Sequence, residues 1–412
     1  MNSNYRSVKD LGMAAMTLCV LVAAVILAGM ATPARAQTET LLHQFTGSPD
    51  GANPYAGVAL KGTTLYGTTM QGGTGPGSTG NGIVYKLTTA GKETILHTFT
   101  GQPDGAEPYG GVVLDSKGNL YGTTLTGGAH QYGTIYEIPK NGAEVVLYSF
   151  GGSDGAYPYY VTPVLDKLGN LYGTTAYGGY YGNGTVFKLS PNGTLTTLHS
   201  FNSAGGDGYY PDAGVVLDAK GNLYGSAPAG GTYGYGILFE ITMSGAYSIL
   251  YNFTGGADGL TPRSPVVFKG GSLYGTTQAG GAGCTWGCGV VFKFTPAKGK
   301  KAAKETVLHT FAGVPDGMSP MYGALVFDKL GNIYGTTQAG GAFAGGTNLG
   351  TVYKLAPDGT ITILYNFDQQ PNGYAPCAGV ALDTKGNVYT TAAFGGNYGG
   401  QYGGGTVIKV TP

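Results

Sequence analysis

The sequence predicts an all-β chain folded as a seven-bladed β-propeller of four-stranded antiparallel blades, and three observations lead there. First, 78 of the 412 residues are Gly and 21 are Pro. Glycine costs a helix interior roughly 1 kcal/mol relative to alanine, so glycine spread evenly at this density excludes a mostly helical protein. Second, one unit recurs seven times, marked by an aliphatic residue before Tyr at Leu65-Tyr66, Leu120-Tyr121, Leu171-Tyr172, Leu223-Tyr224, Leu273-Tyr274, Ile333-Tyr334 and Val388-Tyr389. Third, each unit holds four short β-branched and aromatic runs bounded by Gly, Asn and Asp, the pattern of short antiparallel strands. One such unit cannot bury both faces of its sheet, but it can do so between two neighbours.

The elements follow in chain order. Arg6 and Lys9 precede an apolar run from Met13 to Met30, and Ala34-Arg35-Ala36 offers small residues where a signal peptidase reads. Residues 1–36 are therefore expected to be a signal peptide cleaved before Gln37; an uncleaved anchor is the alternative. Residues 37–412 form a single domain, with repeats near 38–92, 93–143, 144–194, 195–246, 247–304, 305–360 and 361–412. In the second unit the runs are Glu93–Thr98, Gly111–Asp115, Leu120–Thr124 and Gly133–Ile138. Between them lie the turns Asp104-Gly105 and Ser116-Lys117-Gly118-Asn119 and a Gly127-Gly128 loop. The last unit stops at Gly405–Val410 without an outer strand, while the first opens with a spare one, Glu39–Phe45. The ring is expected to close by placing Glu39–Phe45 beside Thr406–Val410, which removes two aggregation-prone edges.

The pattern G-N-L-Y-G-T-T-x-x-G-G followed by G-T-V-F-K-L, at Gly169–Gly179 and Gly184–Leu189, resembles the Gloeo-Verruco (GloVer) tandem repeat over essentially the whole mature chain. The resemblance implies a bacterial exported protein, in a family whose members use various C-terminal anchors, and it carries no catalytic motif. This sequence departs from anchored members by closing on Thr411-Pro412. Release to the periplasm or the outside is expected.

Composition narrows the function. The formal charge is zero and charged residues make up 11%, which argues against a nucleic-acid binder with a Lys/Arg-rich face. Hydrophobic residues at 42% and aromatics at 12% supply a core and exclude disorder. No cofactor is expected, no membrane span follows the signal, and a monomer is expected. Cys284 and Cys288 bracket a small loop that could close as a disulfide in an oxidising compartment, or remain two thiols.

Several residue columns read as repeat chemistry. Asp50, Asp104, Asp154, Asp207, Asp258 and Asp316 each precede Gly four residues before Pro, with Asn372 at the seventh position. Asn keeps a turn but not a charge, so these are read as turns rather than calcium ligands. His43, His97, His199 and His309 alternate with Tyr148, Tyr251 and Tyr365 at one strand position, a packing slot rather than a general base. Four lysines near Lys300 read as a solvated hairpin.

The candidate site lies where the repeat breaks. After the interblade proline the residues are Tyr55, Tyr109, Tyr159, Asp212, Arg263, Met321 and Cys377, expected at the channel mouth. Arg263 is the only arginine beyond residue 36, Trp286 is the only tryptophan, and His130 is the only histidine outside the column. Loop aromatics Tyr132, Tyr180, Tyr181, Tyr233, Tyr235, Phe343, Phe394, Tyr398 and Tyr402 suit stacking on sugars or apolar ligands. The expectation is an exported, non-catalytic propeller that binds a glycan, small molecule or protein on this face. A lyase or lactonase-type enzyme using Asp212, Arg263, His130 and Glu107 is the competitor, and a purely structural surface repeat the third reading.

Overall fold

Three strands of each repeat and the opening strand of the next form a four-stranded antiparallel sheet, ordered outward from the centre, and seven such sheets form the propeller. The structure is a computed structural model, and it describes residues 38–75, 79–342, 349–368, 371–396 and 403–412. The segment read as a signal peptide, together with Phe343, Tyr398 and Tyr402, lies outside them. The first blade comprises Ala59–Lys61, Thr64–Thr69, Ile83–Thr88 and Glu93–Thr98. The seventh has Ala381–Leu382, Val388–Ala392 and Thr406–Thr411, with Thr38–Gln44 added as its outermost strand. Ring closure by the N-terminal strand is thus realised, and Phe45 N donates to Gly405 O at 3.0 Å. No helix occurs among the described residues.

Two concentric rings join the blades. Outside, a Phe closing six of the seven outer strands packs edge-on against the third-strand aromatic of the next blade: Phe45 on Tyr85, Phe99 on Tyr136, Phe150 on Phe187, Phe201 on Phe239, Phe253 on Phe292 and Phe311 on Tyr353, with centroids 5.1–5.4 Å apart. Such pairs are worth about 0.5–1.5 kcal/mol each beyond their burial. Those third-strand rings lie over a second-strand glycine; a Cβ on Gly67 would overlap the Tyr85 ring, and likewise Gly122 with Tyr136. In the seventh blade Thr390 replaces that glycine, and its cross-strand partner is Ile408 rather than an aromatic.

Inside, a second-strand hydroxyl of each blade donates to a backbone carbonyl at the entrance of the next. The pairs are Thr68 to Gly110, Thr123 to Val161, Thr174 to Ala213, Ser226 to Ser264, Thr276 to Pro320, Thr336 to Ala378 and Thr391 to Ala56, at 2.6–3.4 Å. The circle closes on itself, and all seven donors are buried.

The Asp-Gly turns and Gly-Gly loops meet on one face, paired as short two-stranded sheets such as Gly105–Ala106 with Thr126–Gly127. The Asp-Lys-Gly-Asn hairpin turns occupy the other face. There Asp166 accepts from Asn170 and Tyr172, and Asp218, Asp328 and Asp383 repeat that arrangement.

The hydroxyl ring makes a direct prediction. Thr174→Val keeps the shape but leaves the buried Ala213 carbonyl without its donor, which should cost about 1–3 kcal/mol. Thr196→Val, on an exposed position of the same blade, should stay within about 0.5 kcal/mol. Denaturant titration of both variants measures the difference.

Candidate functional site

The seven residues before the interblade prolines, Asn53, Glu107, Tyr157, Tyr210, Thr261, Ser319 and Ala375, all take left-handed φ of 54–58°. Each donates its N–H to the blade before it, as Glu107 does to Asn81 O at 2.8 Å. This kink aims the residues after the proline at the centre of the ring. A following proline disfavours the right-handed α region for its predecessor, and all seven of these residues lie in the left-handed one instead.

In five blades the innermost strand starts five residues after the proline. Between Pro158 and Val164, and between Pro320 and Val326, one residue more is present. The extra length appears as Tyr160 and Tyr322, both at positive φ, 52° and 62°. Apart from the pre-proline column and Gln131, these are the only non-glycine residues with positive φ among the described residues, so the two positions depart from the repeat. Their rings stack at 3.6 Å with an interplanar angle of 12°, joining the third blade to the sixth across the mouth.

The predicted residues gather around that pair. Tyr55, Tyr109 and Tyr159, from three successive blades, form a ladder with centroids 5.1 and 4.8 Å apart, each step inclined by 30°. Tyr160 meets all three edge-on, at 6.1, 5.2 and 4.6 Å, and Phe394 of the seventh blade meets Tyr55 at 5.7 Å. On the far side Arg263 donates from Nη1 to Asp212 Oδ2 at 2.6 Å and to the Tyr322 hydroxyl at 3.1 Å. Every blade therefore contributes to one continuous cluster.

Asp212 is only 4% exposed, and burial pushes its carboxyl up to about 7 against the pull of the Arg263 guanidinium. Asp212 Oδ1 and Arg263 Nε are buried without a hydrogen-bond partner among the described residues. Burial, reinforced by neighbouring phenols, pushes Tyr55 up to about 12 and raises Tyr109 and Tyr160; the cluster thus presents neutral hydroxyls. The remaining mouth positions are closed: Met321 and Cys377 are buried. Burial holds the Cys377 thiol at about 12, beside Gln338 Nε2 at 3.2 Å, so it is no nucleophile.

Trp286 and His130 stand apart from this cluster. Trp286 is 82% exposed on the rim, in the loop where the Cys284 and Cys288 sulfurs are joined, with Cα atoms 5.3 Å apart. His130 is exposed in its own loop. The exposed tyrosines Tyr180, Tyr181, Tyr233 and Tyr235 line the same rim. A hollow of about 410 Å³ opens beside Tyr55, Asn53 and Phe394. Two other hollows, about 760 and 710 Å³, lie between blades on the opposite face, around Lys117, Lys167 and Lys220.

The histidine column has a structural role. His97, His199 and His309 bond Asp104, Asp207 and Asp316 at 3.1, 2.9 and 2.9 Å, and Tyr251 does the same to Asp258 at 3.0 Å. The aspartates in turn cap their loops, as Asp104 does for Thr100 N at 2.9 Å.

Tyr160 and Tyr322 were not among the predicted site residues. The signal was present as the one-residue excess after Pro158 and Pro320, visible once the repeats are aligned on both the proline and the strand.

The sequence profile of the Gloeobacter/Verrucomicrobia repeat matches residues 30–220 and 74–285. The chain belongs to the Gloeobacter/Verrucomicrobia repeat family. No curated protein sequence matches it. Among solved structures, this member of the family is similar to a fungal alcohol oxidase solved with copper, at 15% identity and a TM-score of 0.56, covering 91% of this chain and 76% of that one. It is also similar to PorZ, an essential bacterial surface component of the type-IX secretion system of Porphyromonas gingivalis, at 13% identity and a TM-score of 0.53. That match covers 88% of this chain and 47% of PorZ, so the repeat protein spans about half of PorZ. At these identities the likeness is one of fold.

The raised Asp212 carboxyl sets a pH dependence. An acid whose folded pKa lies above its unfolded value leaves the folded state holding more protons between the two, so stability rises as pH falls through that window. From about pH 8 to about pH 5, the wild type should gain stability relative to Asp212→Asn. Denaturant titrations of both proteins across that range check it; a pH-independent difference would contradict the assignment.

Proposed function

We propose that this protein is an exported, non-catalytic propeller that binds a neutral, hydroxyl-rich ligand, a glycan, at the mouth of the ring. The observation that carries the reading is the ladder of tyrosine rings at the mouth, with centroids 5.1 and 4.8 Å apart, and the partly exposed Arg263 guanidinium across the stacked pair from it. A sugar hydroxyl can accept from the guanidinium while a ring CH face rests on tyrosine. The single guanidinium is already bonded to Asp212 at 2.6 Å, so the mouth offers no cluster of cations to an anionic ligand. Trp286 and the rim tyrosines give a longer chain further surfaces to rest on. Removal of residues 1–36 and release to the periplasm or outside belong to the same proposal, supported by the charged-apolar-small pattern of that segment and by the Cys284–Cys288 pairing, which suits an oxidising compartment.

One observation favours a second reading: a buried carboxyl near 7 is poised for general acid–base work. A lyase or lactonase-type enzyme would use Asp212 as that group and Arg263 to hold a carboxylate or a developing oxyanion.

Glycan-array screening followed by calorimetry separates the readings. Tyr109→Ala should weaken the retained glycan by about 2 kcal/mol, roughly 30-fold in Kd, with the glycan unchanged after incubation. A wild type that retains no glycan sinks the binding proposal. Turnover of a lactone or polyuronate that is lost in Asp212→Asn would establish the enzyme instead.

A further inference from the structure

Each outer strand carries a second informative position, four residues before its His or Tyr. Around the ring it reads Glu39, Glu93, Glu144, Leu195, Tyr247, Glu305 and Ile361. Strand pairing puts these side chains in register, as with Leu87 opposite Glu93, Leu189 opposite Leu195 and Leu355 opposite Ile361. The position faces the His/Tyr–Asp pair of the preceding junction. Glu93 reaches His43 at 3.7 Å, and Tyr247 stacks on His199 at 3.6 Å and donates to Asp207 at 2.5 Å.

The occupants fall into three kinds. Leu195 and Ile361 are apolar and bring no third polar group to the Tyr148–Asp154 and His309–Asp316 pairs. Tyr247 supplies a donor to Asp207. A glutamate instead brings a second carboxyl to an aspartate, which is unfavourable unless a cation or a proton joins them. At two adjacent junctions this happens with histidine present: His43, Asp50 and Glu93 between the seventh and first blades, and His97, Asp104 and Glu144 between the first and second. In each set the three ligand atoms lie within 4.8 Å of one another.

We propose that these two junctions each bind a divalent transition-metal ion of the zinc class through one imidazole and two carboxylates. Zinc–nitrogen and zinc–oxygen bonds of about 2.0–2.2 Å set tetrahedral ligands roughly 3.4 Å apart. His43 lies 3.3 Å from Asp50 and 3.7 Å from Glu93, and His97 lies 3.1 Å from Asp104. His43 Nε2, Glu93 Oε1, Asp104 Oδ1 and Glu144 Oε1 are buried without a hydrogen-bond partner among the described residues, so both sets keep donor atoms free to coordinate. Two carboxylates balance the dication, the nitrogen and oxygen donors match zinc, and a fourth position is left for water. The ions staple neighbouring blades, one of them at the junction beside the closing N-terminal strand.

The same chain contains its own comparison, because Ile361 stands where a glutamate would complete a third set around His309 and Asp316. Mature protein dialysed against EDTA is titrated with Zn²⁺ by calorimetry, bound metal is counted by elemental analysis, and Co²⁺ substitution reports coordination through its d–d absorption. The expected result is two ions in the wild type, one in Glu93→Gln or Glu144→Gln, none in the double variant and three in Ile361→Glu, with zinc raising the melting temperature. Circular dichroism of the metal-free variants confirms that the isosteric glutamines leave the fold intact. No uptake by the wild type at micromolar Zn²⁺, or uptake retained by the folded double variant, overturns the proposal.

Discussion

The junction between one blade and the next is the constraint on which the rest of this structure depends. A four-stranded sheet of short strands has two faces to bury and too few residues to bury them alone, so stability resides between blades. This chain meets that need with a buried hydroxyl-to-carbonyl bond inside every junction and an aromatic edge contact outside six of the seven. Neither could form at an open end. The N-terminal strand therefore has to leave its own repeat and complete the last blade, and Thr391 of that blade returns to Ala56 of the first.

Symmetry at the junctions frees the mouth from symmetry. The pre-proline kink delivers whatever follows it to the centre, and the hydroxyl ring holds only the backbone there. The side chains can then differ from blade to blade, which is how a ladder of tyrosines, one ion pair and a stacked pair across the axis come to share one place. Tyr160 and Tyr322 show the limit of that freedom: an added residue in two blades is absorbed as left-handed backbone, at a cost of about 1–3 kcal/mol each.

Much of this was legible in the sequence because the repeat is strict. The number of blades, the strand closure and the turn residues follow from columns that can be compared seven times within one chain. The aspartate and histidine columns were legible as repeat chemistry, since Asn372 and three tyrosines replace them. Tyr160, Tyr322 and the glutamate column were harder. The first two arise from a length difference, which a residue pattern does not register; Glu93 and Glu144 meet His43 and His97 only because adjacent outer strands pack side by side, a tertiary relation between different repeats. Trp286 was singled out by rarity, yet the structure keeps it on the rim, away from Arg263.

The central claim is that the stacked mouth exists for a ligand rather than for the fold. The most direct test is the double variant Tyr160→Gly with Tyr322→Gly, which removes both rings and relieves both strained positions. On this account its melting temperature stays close to that of the wild type while retention of the glycan is lost. A melting temperature that collapses, with glycan retention intact in the protein that remains folded, would contradict the account.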